Sequence, residues 1–171
     1  MGDNKMKAFL AACLALAPVV APAQPAAAAP AANPLVGSWT LVSNTTDPAG
    51  RKSPTLGRNP LGTLIFAPDG RYAFIMARAG LPRFVSNNRE RGTDDENRAV
   101  VSGSFAHAGR YTVDARGGTF TWNVEASSFP NWTGTAQTRT FQIKGDELHY
   151  ESPNASNAPG TQLHAVWRRA K

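Results

Sequence analysis

The chain has 171 residues, 42% of them hydrophobic and 18% charged, with a formal net charge of +6 and one cysteine. That balance excludes a disordered chain, a disulfide scaffold and a thiolate metal centre, and the length suits one domain with or without a tail. The positive charge is mostly arginine spread along the chain, not a stripe interleaved with aromatics, so a nucleic-acid partner is not expected.

At the N-terminus, Lys5 and Lys7 precede the apolar run 8–17, and Ala21-Pro22-Ala23 follows. Basic, apolar and A-x-A regions in that order read as a secretory signal peptide over 1–23, cleaved before Gln24. Cleavage leaves 16 basic against 11 acidic residues, a net +5. Pro18 interrupts the apolar run well short of the roughly 20 residues a membrane span needs, so no integral membrane segment is expected after cleavage. Apolar residues continue past Cys13, which argues against a lipoprotein box. Export with no cysteine in the mature part suits a bacterial periplasmic or secreted protein, expected as a monomer. Residues 24–34, QPAAAAPAANP, read as a linker, and 35–171 as the folded domain.

From Leu35 onward the signal is β: short runs rich in Val, Ile, Thr and aromatics, bounded by Gly, Pro, Asp and Asn. Strands are predicted near 36–43, 61–67 and 70–78, the last two joined by the tight turn Pro68-Asp69-Gly70. Alternation puts Tyr72, Phe74 and Met76 on one face of the third. A loop over 78–93 carries Arg78, Arg83, Arg89 and Arg91 against Glu90, locally +3. Thr93-Asp94-Asp95-Glu96 is a capping box and predicts a helix from Asp94 to Phe105, with Val101 and Phe105 on one face.

Further strands are predicted near 109–114, 118–126, 134–143, 146–152 and 162–169. Tyr111 shares a face with Val113, and Leu163, Ala165 and Trp167 share another. Between the strands at 118–126 and 134–143 lies SSFPNWTGT, a connection holding Phe129 and Trp132 where small polar residues would be ordinary. Such a loop either closes the end of a core or walls a pocket; Trp39, near the start of the first strand, is expected to plug one end under an arginine of Trp167-Arg168-Arg169. Eight short antiparallel strands and one helix, without a repeat, predict an all-β fold, a small closed barrel, because closure removes sheet edges. A two-sheet sandwich is the alternative.

The segments LVGSWTLVS (35–43), NPLGTLIFAPDGRYAF (59–74), PRF (82–84), HAGRYTV (107–113) and VEASSFPNWTGT (124–135), with Arg139, resemble the bacterial and fungal lipocalin-like domain family over nearly all of 35–169. The resemblance implies a lipocalin-like β-barrel that binds a small ligand. The family often has a His two to three residues before the Val-Glu pair; here Thr121-Trp122-Asn123 stands there, so no acid–base role is carried over.

Candidate ligand-binding residues are Tyr72, Phe74 and Tyr111 from inward faces, Phe129, Asn131 and Trp132 from the loop, and Arg83 at the mouth. Arg139 shares parity with Phe141 and Ile143 and should point inward, where it needs a partner. Glu125 on the neighbouring strand is the carboxylate in register, although Phe120, Trp122 and Val124 occupy the opposite face; a bulge, or an outer face covered by the helix, would resolve this. The pair is read as a structural ion pair, as a pocket lining, or as the site of a general base. His107, His149 and His164 lie on different elements and are not spaced for a metal. No catalytic residue, cofactor or metal is assigned. Three functions remain: binding of a small apolar or amphiphilic ligand, a cyclase or isomerase using the same pocket, and a protein-binding barrel of the inhibitor kind.

Overall fold

The computed structural model describes residues 33–47, 53–114, 116–153 and 160–171. The expected signal peptide over 1–23, Cys13, the cleavage site and most of the 24–34 stretch lie outside the described residues. The elements are β1 (Gly37–Thr46), β2 (Ser53–Pro54), β3 (Leu61–Phe66), β4 (Arg71–Ala77), α1 (Asp94–Gly103), β5 (Ser104–Asp114), β6 (Thr119–Ser127), a 3-10 turn (Pro130–Trp132), β7 (Ala136–Lys144), β8 (Glu147–Ser152) and β9 (Leu163–Arg169).

Eight of these strands pair antiparallel in the order β1-β3-β4-β5-β6-β7-β8-β9, and β9 returns to β1, so the sheet closes on itself. The two-residue β2 only extends the far end of β1, beside Thr45 and Thr46. The fold is therefore a closed antiparallel barrel and not a sandwich. Alternation fills it: Tyr72, Phe74 and Met76 of β4, Phe120 and Trp122 of β6, and Ala165 and Trp167 of β9 are all buried. Glycine makes the turns tight where the hairpins require it; Gly70 has φ +84 and Asp69 Oδ1 accepts from the Arg71 N–H at 3.0 Å.

Two bulges adjust which side chains face in. In β1 the register with β9 shifts between Leu41 and Ser43, so Trp39 and Leu41 point inward before the shift and Asn44 and Thr46 after it. The second shift sits between β5 and β6. Ala108 faces Ala126 but Gly109 faces Val124, leaving Glu125 as the extra residue. Gly109 is required there, since a Cβ would run into the Asn123 carbonyl oxygen.

The helix is shorter than its sequence pattern predicts. The capping box forms as expected, with Thr93 Oγ1 accepting from the Glu96 N–H at 3.3 Å and Glu96 Oε2 accepting from the Thr93 N–H at 2.8 Å. However, α1 ends at Gly103, and Val101 is 81% exposed. Ser104 is already extended, and Phe105 belongs to β5, paired with Met76. The apolar face expected from Val101 and Phe105 does not exist. Polar contacts anchor the helix: Glu96 Oε1 also accepts from the Val85 N–H at 2.8 Å, and the bonds from Val85 and Thr93 hold this carboxyl below its usual range.

Candidate functional site

The barrel has two unlike ends, set by strand direction. One end holds the start of β1, the end of β9 and the β3–β4 hairpin. Trp39 is wholly buried there and its Nε1–H donates to the Leu35 carbonyl at 2.8 Å. The Arg169 guanidinium lies 4.1 Å from the Trp39 ring centroid and donates to the carbonyls of Val36 and Pro34 at 3.0 and 2.9 Å. Tyr111 belongs to this end: its hydroxyl donates to the Ala67 carbonyl and accepts from Asn33 Nδ2. Expected as a pocket residue, Tyr111 is instead part of this seal. Both its hydrogen bonds are to groups of the closed end.

The other end gathers the start of β5, the end of β6, the 3-10 turn and the start of β7. Here SSFPNWTGT folds back over the barrel. Ser128 ties it to β5, its N–H donating to the Ala106 carbonyl and its Oγ accepting from the Ala106 N–H at 2.9 Å. Pro130 pre-sets the backbone of the turn, and the Trp132 carbonyl accepts from the Thr135 N–H and hydroxyl. That geometry aims the half-buried Trp132 ring at Phe105 (5.0 Å between centroids) and His107 (5.8 Å). Phe129 packs on the outer side of Trp132 at 5.9 Å, and Asn131 is exposed.

Beneath Trp132 lies a cavity of about 20 Å³ among Phe74, Phe105, His107, Trp122, Trp132 and Arg139. Its walls are aromatic. Tyr72 stacks on Trp122 with centroids 5.3 Å apart, Phe74 lies 4.0 Å from His107, and Tyr150 meets Trp122 edge-on at 5.4 Å. Into this box β7 directs Arg139, as parity predicts; it is 7% exposed. The guanidinium sits 5.4 Å from the Trp122 centroid and donates to Gln137 Oε1 at 2.7 Å and to the Thr138 carbonyl at 3.0 Å.

No carboxylate meets Arg139 among the described residues. Glu125, its expected partner, is 3.6 Å from Arg110 on the outer face, with a side chain about half exposed. The bulge is present where the sequence requires one, but it leaves Glu125 and Ala126 both outward. Burial pulls the Arg139 pKa below its ordinary value, partly offset by the hydroxyls of Tyr150 and Tyr72.

His107 is the group the sequence did not single out for this site. Burial, helped by the Arg139 charge, pushes its pKa down to about 3, so the imidazole is neutral. The Tyr72 hydroxyl lies 2.8 Å from His107 Nδ1, and burial raises the Tyr72 pKa, so the phenol keeps its proton. With the phenol as donor in this bond, the imidazole hydrogen sits on Nε2. Had β5 been expected to start at Ser104, the alternation Phe105, His107, Gly109, Tyr111 would have placed His107 inside.

Arg83 is exposed, makes no hydrogen bond or ion pair among the described residues, and does not line this cavity. Larger concavities lie on the outer faces of strands, one of about 330 Å³ near Ile65 and Ala108 and one of about 510 Å³ near His149 and His164. Polar side chains in them pair with neighbours: Glu125 with Arg110, and His164 with Glu151 at 3.0 Å. Among the described residues no group of three or more His, Cys, Asp or Glu is placed to hold a metal ion, and no helix is long and apolar enough to cross a membrane.

A family model described as a lipocalin-like domain matches residues 36–170. A protein of Aspergillus oryzae described as a 4'-hydroxy-3'-methoxypropiophenone carrier protein is 32% identical over 100 residues, which cover 54% of this chain and 90% of that protein.

Proposed function

This chain belongs to the lipocalin-like domain family, and from that premise we propose that it is a small-molecule-binding barrel whose ligand enters at the Trp132 end. The observation that carries this reading is Arg139. A guanidinium held among aromatic rings without a carboxylate costs folding free energy that an apolar residue of the same size would not. A binding role accounts for its retention.

The aromatic box suits a flat ring, and Arg139 and His107 can orient an oxygen on it. The relative's cargo, a phenolic aryl ketone, has that form. The cavity of about 20 Å³ admits little more than one oxygen-sized group, so the ring of a ligand must displace Trp132. Trp132 is suited to move, because it rides on a short turn fixed mainly by local hydrogen bonds. Against proton-abstracting chemistry, the lining offers no carboxylate, and His107 is a weak base whose Nδ1 is occupied. Export to the periplasm or medium, as a monomer, belongs to the same proposal and is supported by residues 1–23.

The test is tryptophan fluorescence, with native mass spectrometry, during titration with 4-hydroxyphenyl ketones. Saturable one-to-one binding that Trp132→Ala alters supports the reading. If no aryl ketone, acid or phenol binds, the reading is wrong. N-terminal sequencing of the exported protein should begin at or near Gln24; a chain retained in membranes would defeat the export part.

A further inference from the structure

With Tyr72 donating to His107 Nδ1, three N–H donors on residues that line the cavity have no hydrogen-bond partner among the described residues: Arg139 Nε, His107 Nε2 and Trp122 Nε1. Their residues are 7%, 3% and 1% exposed, so solvent does not satisfy them. Buried donors left unmade are expensive, and three in one cavity form a set of one polarity. Of the acceptors near this site, Gln137 Oε1 and His107 Nδ1 are already used by Arg139 and Tyr72; Tyr150 and Ser152 also line the cavity. A ligand hydroxyl acting as donor would find the first two occupied, whereas an oxygen bearing lone pairs finds three donors.

The charged and titratable groups facing the cavity agree. β5 supplies His107, β7 Arg139 and β8 Tyr150, with Tyr72 of β4 behind His107; all but Arg139 are neutral at pH 7, because burial raises both phenols and lowers the imidazole. Glu125 of β6 faces outward against Arg110, and Glu96 of α1 is held by the Val85 and Thr93 N–H groups. Among the described residues the interior therefore carries one positive charge that no carboxylate meets.

We propose that this end of the barrel takes its ligand as an oxyanion, a carboxylate or an ionised phenol or enol, whose oxygen accepts from Arg139, His107 and Trp122. The proposal rests on the reading of this end as the ligand site and adds the ligand's charge state. An oxygen fits the cavity of about 20 Å³, while the rest of the molecule takes the place of the Trp132 ring. Bound this way, an acidic phenol ionises more readily than in water, since the protein stabilises only its charged form.

A chromogenic phenol separates this from the parent reading. With 4-nitrophenol, quenching of tryptophan fluorescence reports binding, and the visible spectrum reports ionisation. Excess wild-type protein should lower the half-ionisation point of the bound probe by about one pH unit or more, which is about ten-fold tighter binding of phenolate than of phenol. Arg139→Met should remove the shift, Arg139→Lys should keep part of it, and benzoate should bind at least ten-fold more tightly than methyl benzoate. A zero or upward shift in the wild type, or the same shift in a folded Arg139→Met protein, overturns the oxyanion proposal while leaving the ligand site standing. If Arg139→Met does not fold, equal binding of benzoate and its ester by the wild type overturns it. Absence of quenching by every probe overturns the ligand site and the oxyanion proposal together.

Discussion

Each end of the barrel stacks an arginine on a tryptophan, Arg169 on Trp39 and Arg139 on Trp122, and the two pairs differ in what is left over. At the Trp39 end the indole N–H reaches a carbonyl and the guanidinium reaches two more. At the Trp132 end the Arg139 guanidinium also makes two hydrogen bonds, but its buried Nε–H and the indole N–H reach nothing among the described residues. The same pair of residue types thus serves as a seal where its hydrogen bonds close within the protein. Where they do not close, it is the receptor of the proposed binding reading. Burial does not distinguish the two, since Trp39 and Trp122 are about equally buried.

Substitutions should separate the ends most sharply at the tryptophans. Trp39→Ala is expected to cost about 3–5 kcal/mol in urea unfolding, as for a large aromatic removed from a core. Trp132→Ala, from a half-buried turn, should cost only about 1 kcal/mol and should change probe affinity instead. Equal losses from the two would end the distinction between seal and receptor.

The arginines come next. Arg169→Met leaves the Val36 and Pro34 carbonyls without their charged donor, an expected loss of about 1.5–3 kcal/mol. Arg139→Met removes a buried charge that no carboxylate balances, so stability should hold or rise while anion binding falls. A protein strongly destabilised by Arg139→Met would make that residue structural.

A smaller effect is read as a slope. His107 has a folded pKa of about 3 against about 6.5 in the unfolded chain. As pH falls below about 6.5, the unfolded state takes up a proton that the folded state refuses. Stability should therefore be flat above that pH and fall by up to about 1.4 kcal/mol per unit toward pH 3. His107→Gln should remove this component of the slope, and an unchanged acid titration would show that His107 is not neutral in the fold.

The smallest effect concerns the rim. Arg83→Ala should leave stability within about 0.5 kcal/mol. As an exposed charge in the loop over 78–93 it is expected to alter anion affinity about two-fold or less, and only at low salt. A larger loss would move recognition from the interior to the loop over 78–93.

Strand parity made most of the interior legible: Tyr72, Phe74, Met76, Trp167 and the inward Arg139 all follow from alternation. What alternation does not carry is the count of residues between partners. Arg139 stands opposite Phe120 of β6, well away from Glu125, and Glu125 is the extra residue of a bulge that leaves it on the outer face, so the expected register between the two does not exist. Phe105 and His107 were hidden by the helix before them. The capping box marks where α1 begins, but nothing as strong marks its end, and extending the helix to Phe105 concealed the first two inward residues of β5. The polarity of the site was not legible either, because an orphaned donor is defined by what surrounds it in space.

The pairing of β1 with β9 has a kinetic consequence. Arg169 bonds to Val36 across 133 positions of sequence, so the seal joins the first and last strands of the barrel. Loop-closure entropy sets in before such a contact forms, which places barrels of this kind among the slow folders, on the order of milliseconds to seconds. Every hairpin from β3 to β8 can zip locally, yet both edges stay open until residues 163–169 arrive. During that interval β1 and β8 present unpaired backbone. Refolding followed by hydrogen exchange should therefore protect the β3–β4 and β7–β8 amides before those of β1 facing β9.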